Sequence, residues 1–524
     1  LILLLLSSCS SFRPDPEIKI VTKIEKTVVP IQPLPKPVQM NDIKIYVVSP
    51  SENFEEFKKE FEAKNGGDSY IAISVKDYQN LAKNFAEKGF SVIGHDSSPS
   101  HAMNEPAIYV HSQLKDFVRN LAKPRKILFL LPAGQTVEEV IQSLVPYLEP
   151  EDLIVDAGNS HFEDTKRRSQ ELATKKINYL GLGVSGGEDG ARNGASFMAG
   201  GKPDIFENIK PFLEAAAARD PDNNICAKRL GDAAEVGHFV KMVHNSIEYA
   251  EMQLLSEVYS QFAEIKGYNN EDISKAITSW RNELEGSFLS DVTSKILKTI
   301  DNLTDAPLID MIEDIAEQKG TGKWGTVSGI DLGVPAPTLY EGVSSRFISQ
   351  YKPDRIVASK IYRPVLHKND VLSTDTIKRA FLAAKICAFA QGFQLLKIAS
   401  LKYSWNLKLS DVAEVWKAGC ILRGNILNKI VEAFDRKASL TNLLLDTYLS
   451  EELKHSIPEL RLVVSEAALC GLPLAAHSAS LSYFDSFIKS KLPMNIIQAQ
   501  RDFFGSHGYR RIDRSGTFHT SWED

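Results

Sequence analysis

The hydrophobic pattern of the chain changes near residue 234, and this change limits the folds open to it. From 80 to 182, helix-like segments alternate with short apolar strands such as 126–131 (KILFLL) and Leu153–Asp156. The alternation predicts βαβ units and a parallel sheet, hence an α/β domain. After 234 we expect a large all-α domain, because only long amphipathic stretches follow, at 235–266, 271–283, 304–318, 338–350, 374–403, 409–436 and 456–490.

The composition narrows the class of protein. The 524 residues are 43% hydrophobic and 24% charged, which is ordinary for a soluble globular protein and excludes a mainly disordered chain or a multi-span membrane protein. A formal net charge of -6 provides no basic field for nucleic acid, so no nucleic-acid partner is expected. The five cysteines include no C-x-x-C pair, and we therefore expect neither a disulfide framework nor a metal site.

The first residues, LILLLLSSC, differ from the rest of the chain. An apolar run followed by two serines and Cys9 resembles the remnant of a bacterial lipoprotein signal at 1–9, with Cys9 as the lipidation site. A fortuitous apolar end is the alternative, and the run is too short to span a bilayer. Residues 10–68 combine a Pro-rich linker with a small αβ module, and this N-terminal part weakly resembles lipoprotein subunits of phage lysis cassettes.

The strongest local signal is 237–249 (GHFVKMVHNSIEY). On a helix, Lys241, His244, Asn245 and Glu248 fall on one stripe, since they are spaced three or four residues apart. A solvated charged stripe is the alternative, but the apolar and small residues around it favour a buried helix. A buried amine that faces a buried carboxylate forms an acid–base pair whose pKa values are open to tuning.

Three glycine-containing segments suit ligand binding. In 184–191 (VSGGEDGA), Gly186 and Gly187 let backbone N–H groups approach an anion, although a plain glycine turn is the alternative. The segment 156–159 (DAGN) follows a strand, at the edge where open parallel sheets bind ligands. The segment 319–324 (KGTGKW) suits an oxyanion or phosphate but lacks the P-loop spacing.

Six segments together resemble one family, decarboxylating 6-phosphogluconate dehydrogenase. They are DAGNSHFEDTKRR (156–168), GVSGGEDGA (183–191), GHFVKMVHNSIEYAEMQ (237–253), KGTGKW (319–324), AGCILR (418–423) and IQAQRDFFGSHGYRRID (497–513). The resemblance covers 79–524 and implies a Rossmann-like NAD(P)-binding domain at 69–234 and an all-helical domain at 235–491. It also implies a homodimer in which the tail, 492–524, reaches the partner subunit.

The resemblance implies oxidative decarboxylation of 6-phospho-D-gluconate to D-ribulose 5-phosphate with reduction of NAD(P), in the pentose phosphate pathway. Lys241 is implied as the general base and Glu248 as the acid that protonates C1 of the enediol after CO2 leaves. The residues implied to bind substrate are Asn159, Ser185, Gly186, Gly187, His244, Asn245, Tyr249, Lys319, Thr321, Arg346, Arg501 and His507. Of these, Arg501 and His507 match family residues that enter the partner's site.

One segment departs from the family. At 71–80 (IAISVKDYQN), Ile73, Val75 and Tyr78 replace the three small residues of the G-x-[GA]-x-x-G turn. The run 69–74 (SYIAIS) still suits the first strand, but the first βα turn is atypical. We expect poor dinucleotide affinity, because small residues there let pyrophosphate touch the backbone.

The cofactor type depends on two positions. Asp96 and Ser97 stand where NADP-using members carry Asn and Arg, and a carboxylate accepts a bond from a free 2′-hydroxyl but repels a 2′-phosphate. Pro132 stands where such members often carry Lys. These changes favour NAD over NADP, and drift in a domain that no longer binds cofactor is the alternative. The expected cofactor-binding residues are Asp96, Ser97, Ser98, Leu131, Pro132, Ala133 and Asn159.

Three functions stay open at this point. The chain is an active NAD-preferring enzyme of this family, a homologue with an intact substrate site and an impaired cofactor site, or a membrane-tethered lysis-type lipoprotein with a passenger domain. The family function predicts a cytoplasmic protein whose partners are 6-phosphogluconate and a second copy of the chain. The third function predicts a membrane anchor through Cys9.

Overall fold

The computed structural model describes residues 75–90, 92–95, 108–111, 114–318, 320–363 and 372–522. Several expectations lie outside the described residues. They are the lipoprotein-like segment 1–9 with Cys9, the module at 10–68, the strand at 69–74, the cofactor residues Asp96, Ser97 and Ser98, and the substrate residue Lys319.

The first half is an α/β domain, as the alternation predicted. Strands β1 (Val92–His95) and β2 (Ile108–His111) pair in parallel. A second sheet has the order β3 (Lys126–Phe129), β4 (Leu153–Asp156), β5 (Asn178–Ser185), β6 (Ser196–Gly200) and β7 (Ala227–Gly231). The helices between them are α1 (Val75–Glu87), α2 (Leu114–Arg119), α3 (Gln135–Leu144), α4 (Phe162–Ala173), α5 (Gly187–Asn193), α6 (Pro203–Glu207) and α7 (Lys210–Ala216).

The five-stranded sheet has the predicted parallel pairing at three of its four strand pairs, and one pair is antiparallel. Strands β3, β4 and β5 are parallel, but β6 returns antiparallel to β5 before β7 pairs in parallel with β6. The connection between β5 and β6 holds only the seven-residue helix α5, which is too short for a parallel crossover. Strand β6 escaped prediction because all five of its residues are buried, so no apolar–polar alternation marks it.

An apolar groove of about 460 Å³ lies beside β3, lined by residues that include Leu81, Phe85, Val92, Ile127 and Phe129. Among the described strands, β1 and β3 belong to separate sheets and are not hydrogen-bonded to each other. The groove therefore borders both strands and the middle of α1, which contributes Leu81 and Phe85.

The second half is helical, as predicted. Its helices are α8 (Val236–Ser260), α9 (Asn270–Thr278), α10 (Phe288–Ile296), α11 (Leu308–Met311), α12 (Thr321–Asp331), α13 (Pro337–Gln350), α14 (Lys352–Tyr362), α15 (Thr374–Tyr403), α16 (Leu409–Val415), α17 (Ile426–Arg436), α18 (Thr447–Cys470), α19 (Ala475–Ile488) and α20 (Met494–Gly505). A two-stranded hairpin, β8 (Tyr509–Arg510) with β9 (Thr517–Phe518), ends the described chain.

Four helix predictions were wrong in extent, and the stretch 271–283 is helical only as far as Thr278, where α9 ends. The stretch 304–318 is helical only over α11, because its apolar residues, such as Met311 and Ile312, stay half-exposed and gain no burial from a longer helix. The stretch 409–436 is two helices, since Gly419 turns the chain with φ +68° between them. The stretch 456–490 is broken at Gly471, whose φ of +75° ends α18.

Helix α15 forms the centre of the helical core. It is long and apolar enough, by composition, to cross a membrane, but 83% of its most apolar stretch is buried inside the protein. Its buried side chains pack in one cluster with those of α8 and α18. Burial by neighbouring helices therefore accounts for its apolar character.

Candidate active site

Helix α8 lies directly against strand β5. A Cβ added to Gly183 of β5 would stand 2.6 Å from the Cβ of Lys241, so only glycine permits this approach. Val243 and Ile247 on the helix are fully buried and fix its rotation. The predicted stripe of polar residues therefore faces the carboxyl end of β5, where Ser185 lies.

A chain of hydrogen bonds joins four of the predicted site residues. Lys241 donates Nζ to Ser185 Oγ at 2.9 Å, and Ser185 Oγ lies 3.3 Å from His244 Nε2. His244 Nδ1 lies 3.1 Å from Asn245 Oδ1, and Asn245 donates Nδ2 to Thr321 Oγ1 at 3.0 Å. Because Asn245 uses its amide nitrogen as donor, its oxygen accepts from His244 Nδ1 and leaves Nε2 as the acceptor of the serine hydroxyl.

Lys241 and His244, the two basic groups in this series of hydrogen bonds, are both buried, and burial shifts their pKa values. It lowers the pKa of Lys241, although the nearby Glu248 opposes the change. Burial, together with the charge of Lys241, holds the pKa of His244 well below its ordinary value. His244 is therefore a neutral hydrogen-bonding group, and Lys241 is the group that can exchange a proton with a ligand.

Glu248 completes the stripe. One of its oxygens, Oε2, lies 3.5 Å from His244 Nδ1, and 18% of its side-chain surface is exposed. Burial raises the pKa of Glu248, the charges of Lys241 and Arg346 lower it, and that of Glu251 raises it again. The carboxyl group thus holds its proton to higher pH than an ordinary glutamate and is suited to act as an acid.

A second group of predicted residues lies where α12 begins. Thr321 is the first residue of α12, and the preceding Gly320 has φ +96°. The Arg346 guanidinium stacks on the Tyr249 ring at 3.4 Å, and its Nη1 donates to the Glu317 carbonyl at 3.2 Å. A cation beside a helix N-terminus is a suitable place for a phosphate.

The glycine turn after β5 packs against the segment AGCILR (418–423). Gly186 has φ +129°, and a Cβ there would stand 2.5 Å from the Gly419 carbonyl oxygen. The same oxygen accepts a hydrogen bond from the Ser196 N–H at 3.1 Å. The turn at Gly186 and Gly187 is thereby held beside the lysine, and AGCILR, for which the sequence supplied no role, supports it.

A buried network lies under the loops at the carboxyl ends of β3 and β4. Asp156 accepts hydrogen bonds from Ser160 at 2.6 Å and from Tyr179 at 2.8 Å. Arg168, which is 1% exposed, donates to the Gly134 carbonyl at 3.2 Å and to Ser160 at 3.3 Å. The network therefore ties the loop before α3 to the turn that carries Asn159, which is exposed.

Comparison with known proteins places these observations in one family. The model of the NAD-binding domain of 6-phosphogluconate dehydrogenase matches 79–231, and that of the 6-phosphogluconate dehydrogenase C-terminal domain matches 237–522. The chain is 42% identical over 457 residues to the NADP(+)-dependent, decarboxylating 6-phosphogluconate dehydrogenase of Bacillus subtilis, which covers 85% of this chain and 96% of the relative. The chain belongs to the 6-phosphogluconate dehydrogenase family.

Two further relatives agree. The chloroplastic decarboxylating 6-phosphogluconate dehydrogenase 2 of Oryza sativa is 42% identical over 85% of this chain and 91% of its own length. The solved 6-phosphogluconate dehydrogenase of Plasmodium falciparum, studied as apo form, with NADP+ and with 6-phosphogluconate, superposes with a TM-score of 0.81 at 36% identity. It covers 85% of this chain and 97% of that chain. The Rossmann-like and helical halves of the family fold are therefore confirmed.

Arg501 and His507 lie apart from the other site residues. Both are exposed, on or just after α20, where Arg501 contacts Gln498 at 3.2 Å. Within 75–90, 92–95, 108–111, 114–318, 320–363 and 372–522, no hydrogen bond or ion pair joins either residue to α8. The structure therefore does not bring Arg501 and His507 to the other predicted site residues within one chain.

The described part of the cofactor edge suits a dinucleotide. Leu131, Pro132 and Ala133 are half-buried in the loop after β3, and Gly134, with φ +95°, has open space where a Cβ would be. Asn159 follows β4 at the same edge, where parallel sheets bind nucleotides. Helix α1 begins at Val75, so its N-terminus holds two of the large residues that replaced the family's small ones, Val75 and Tyr78.

Four residues near the site escaped the sequence analysis. His238 donates Nε2 to the Asp156 carbonyl at 2.9 Å, and Arg168 anchors the network described above. Glu251 and Lys385 form a buried ion pair at 3.1 Å, one turn beyond Glu248. The sequence contains one signal for the Glu251–Lys385 pair: Lys385 is a charged residue in an otherwise apolar part of α15.

Proposed function

We propose that this chain catalyses the oxidative decarboxylation of 6-phosphogluconate to ribulose 5-phosphate. The observation that carries the proposal is the placement of Lys241 and Glu248 on one buried helix face. An amine whose pKa is lowered and a carboxyl whose pKa is raised are a base and an acid in one site. The reaction needs both, because a proton leaves in its first step and another arrives in its last.

Lys241 acts first as the general base. The neutral amine removes the proton of the substrate 3-hydroxyl while a hydride leaves C3. Ser185 and His244 orient it, since the amine donates to the serine, which in turn reaches the imidazole. Bound NAD(P)+ supplies the hydride acceptor. The product of this step is a 3-keto acid.

The same residues serve the decarboxylation. A carbonyl at C3 lies β to the carboxylate and accepts the electron pair when CO2 leaves. Protonated Lys241 donates to that carbonyl oxygen and stabilises the developing charge. Glu248 then delivers a proton to C1 of the enediol to give ribulose 5-phosphate.

The remaining site residues hold the two ends of the substrate. We assign the sugar-acid end to Asn159, Ser185, Gly186, Gly187, His244 and Asn245. We assign the phosphate end to Tyr249, Lys319, Thr321 and Arg346. Support comes from the helix N-terminus at Thr321 and from the stacked Arg346 guanidinium, both suited to a phosphate.

For the cofactor we propose NAD in preference to NADP. The support is in the sequence: Asp96 offers a carboxylate to a 2′-hydroxyl, Ser97 offers no cation to a 2′-phosphate, and Pro132 replaces a lysine. The Bacillus subtilis relative is NADP-dependent, so this choice distinguishes the chain from it. Calorimetric titration with each nucleotide tests it, and tighter binding of NADP would overturn it.

The dimer and the domain bounds are also proposals. Apolar residues on the tail, among them Ile496, Phe503 and Phe504, are largely exposed, as expected of a segment that packs on a second copy. We place the domains at 69–234 and 235–491 with the tail at 492–524, because β7 ends at Gly231 and α8 begins at Val236. A cytoplasmic location follows from the substrate and cofactor.

A second candidate is a homologue that binds the sugar acid but not the nucleotide. It is favoured by the start of α1 at Val75, where the family has a small-residue turn. Separate calorimetric titrations of the full chain with NAD, NADP and 6-phosphogluconate distinguish the two. Binding of both substrate and a nucleotide supports the enzyme, whereas binding of 6-phosphogluconate alone supports the impaired homologue.

A further inference from the structure

Glu248 keeps its proton beside two cationic side chains, and its part as proton donor rests on the proposed function. Two cationic side chains, Lys241 and Arg346, act on this carboxyl group, and both favour its ionised form. His244, 3.5 Å away, is neutral and adds no negative charge. Burial is the largest effect that opposes these two charges and holds the proton on Glu248, and a fixed negative charge close by adds to it.

Glu251 lies one helical turn beyond Glu248. Residues three apart on a helix are neighbours, so the two carboxyl groups share the same side of α8. Glu251 is 1% exposed, and its Oε1 accepts from Ser287 Oγ at 2.6 Å and pairs with Lys385 Nζ at 3.1 Å. Among the described residues, its other oxygen, Oε2, is buried without a hydrogen-bond partner.

The partner cation is held in place independently. Lys385 comes from α15, is 1% exposed, and donates Nζ to the Glu285 carbonyl at 3.1 Å. Ser287, the N-cap of α10, is fixed by a reciprocal capping bond with Ser290. Both contacts meet Glu251 at Oε1, so among the described residues the carboxylate is hydrogen-bonded through one oxygen only.

We propose that Glu251 is a positioning residue for the proton donor, a fixed negative charge that adds to burial in holding the proton on Glu248 until C1 of the enediol needs it. The charged or titratable groups that face Glu248 are Lys241, His244 and Glu251 on α8 and Arg346 on α13. Lys385 on α15 acts on it only through Glu251. Among the described residues, Glu251 is the group whose negative charge acts on Glu248.

This role has a direct consequence for substrate binding. Under the proposed function Glu248 faces substrate C2, which bears the carboxylate and becomes C1 of the enediol. A protonated Glu248 donates a hydrogen bond to that carboxylate, whereas an ionised one repels it. Affinity for 6-phosphogluconate therefore falls as the pH rises through the pKa of Glu248. In Glu248→Gln this fall in affinity must disappear, which shows that Glu248, and not another titrating group, causes it.

The test is calorimetric titration of the full chain with 6-phosphogluconate across pH, without nucleotide. In Glu251→Gln, which keeps the shape and removes the charge, we expect the fall in affinity to begin about one pH unit lower. The double variant Glu251→Gln with Lys385→Met removes both charges and leaves no unpaired cation. The pH at which affinity falls should then move in the same direction, but by less.

Glu257→Gln is the matched control. Glu257 lies on the same helix, is 2% exposed, and accepts from the Ala476 and His477 backbone, so its loss perturbs folding without acting on Glu248. If Glu251→Gln leaves the pH of the fall unchanged, or shifts it no more than Glu257→Gln, the inference is overturned while the proposed function stands. If the wild-type chain does not bind 6-phosphogluconate at any pH, the proposed function fails and this inference fails with it.

Discussion

The amine of Lys241 donates to the hydroxyl of Ser185 across 2.9 Å, and this bond joins helix α8 to the carboxyl end of strand β5. The residues are 56 apart in sequence and come from the two halves of the fold. The base of the proposed reaction is therefore oriented by the sheet although it stands on a helix. Close contact at Gly183 makes this geometry possible.

Replacing Ser185 with alanine tests the orientation of the base. We expect Ser185→Ala to lower kcat about fivefold, as one lost hydrogen bond of about 1 kcal/mol implies, with little change in unfolding temperature. Steady-state kinetics measure the effect. Ser246→Ala is the control, because Ser246 is buried on the same helix but donates to the Met242 carbonyl. Equal losses in both variants contradict a role for Ser185 in orienting the amine.

The pH dependence tests the protonation of Lys241. An ammonium cannot accept the 3-hydroxyl proton, so the rate of NAD(P)H formation falls as the pH drops below the lysine pKa. Since burial lowers that pKa, activity should persist below the free-lysine value of ~10.4. A profile of kcat/KM against pH measures the limb. A limb near the free-lysine value shows that Lys241 is not the buried base.

Arg168 tests the network under the two loops. Arg168→Met leaves the carboxylate of Asp156 short of a partner in the interior, and we expect a loss of about 3–5 kcal/mol in the free energy of unfolding. Denaturant unfolding measures it. Arg167→Met is the control, because Arg167 also contacts Glu138 but is 45% exposed, and its loss should cost less than about 1 kcal/mol. Similar losses in both would show that the buried network contributes little.

Cofactor preference is tested at two neighbouring positions. Asp96→Asn with Ser97→Arg removes the carboxylate and supplies a cation for a 2′-phosphate, so binding should shift towards NADP. The ratio of the two dissociation constants is the measured quantity. Asp96→Asn alone, which removes the carboxylate without adding a cation, separates the two changes. If the variant binds nucleotide with an unchanged ratio of the two dissociation constants, Asp96 does not select NAD.

Much of the fold was predictable because strong periodicity survives in sequence. Strand β4 has the predicted bounds, Leu153–Asp156, and so does α15, Thr374–Tyr403. Four polar residues on one stripe of α8 were identified from their spacing alone. Each of these features is local, so the chain itself contains the signal.

The features that escaped prediction depend on contacts distant in sequence. Arg168 looks like a surface charge in the sequence, but Gly134, from a loop, and Asp156, at the end of β4, surround it. Glu251 has its buried ionic partner, Lys385, on α15, which is distant in sequence. The break between α16 and α17 arises where Gly419 meets the turn at Gly186, which no periodicity reveals.

The measurement that tests the central claim most directly is CO2 release from 6-phosphogluconate labelled at C1, with NAD or NADP present, by the full chain. We expect one CO2 for each NAD(P)H formed. We expect Lys241→Met to lose both products by at least about 100-fold, as removal of a general base implies, while still binding the sugar acid. Wild-type protein that binds substrate and nucleotide but releases no CO2, or Lys241→Met that releases it at the wild-type rate, would contradict the account.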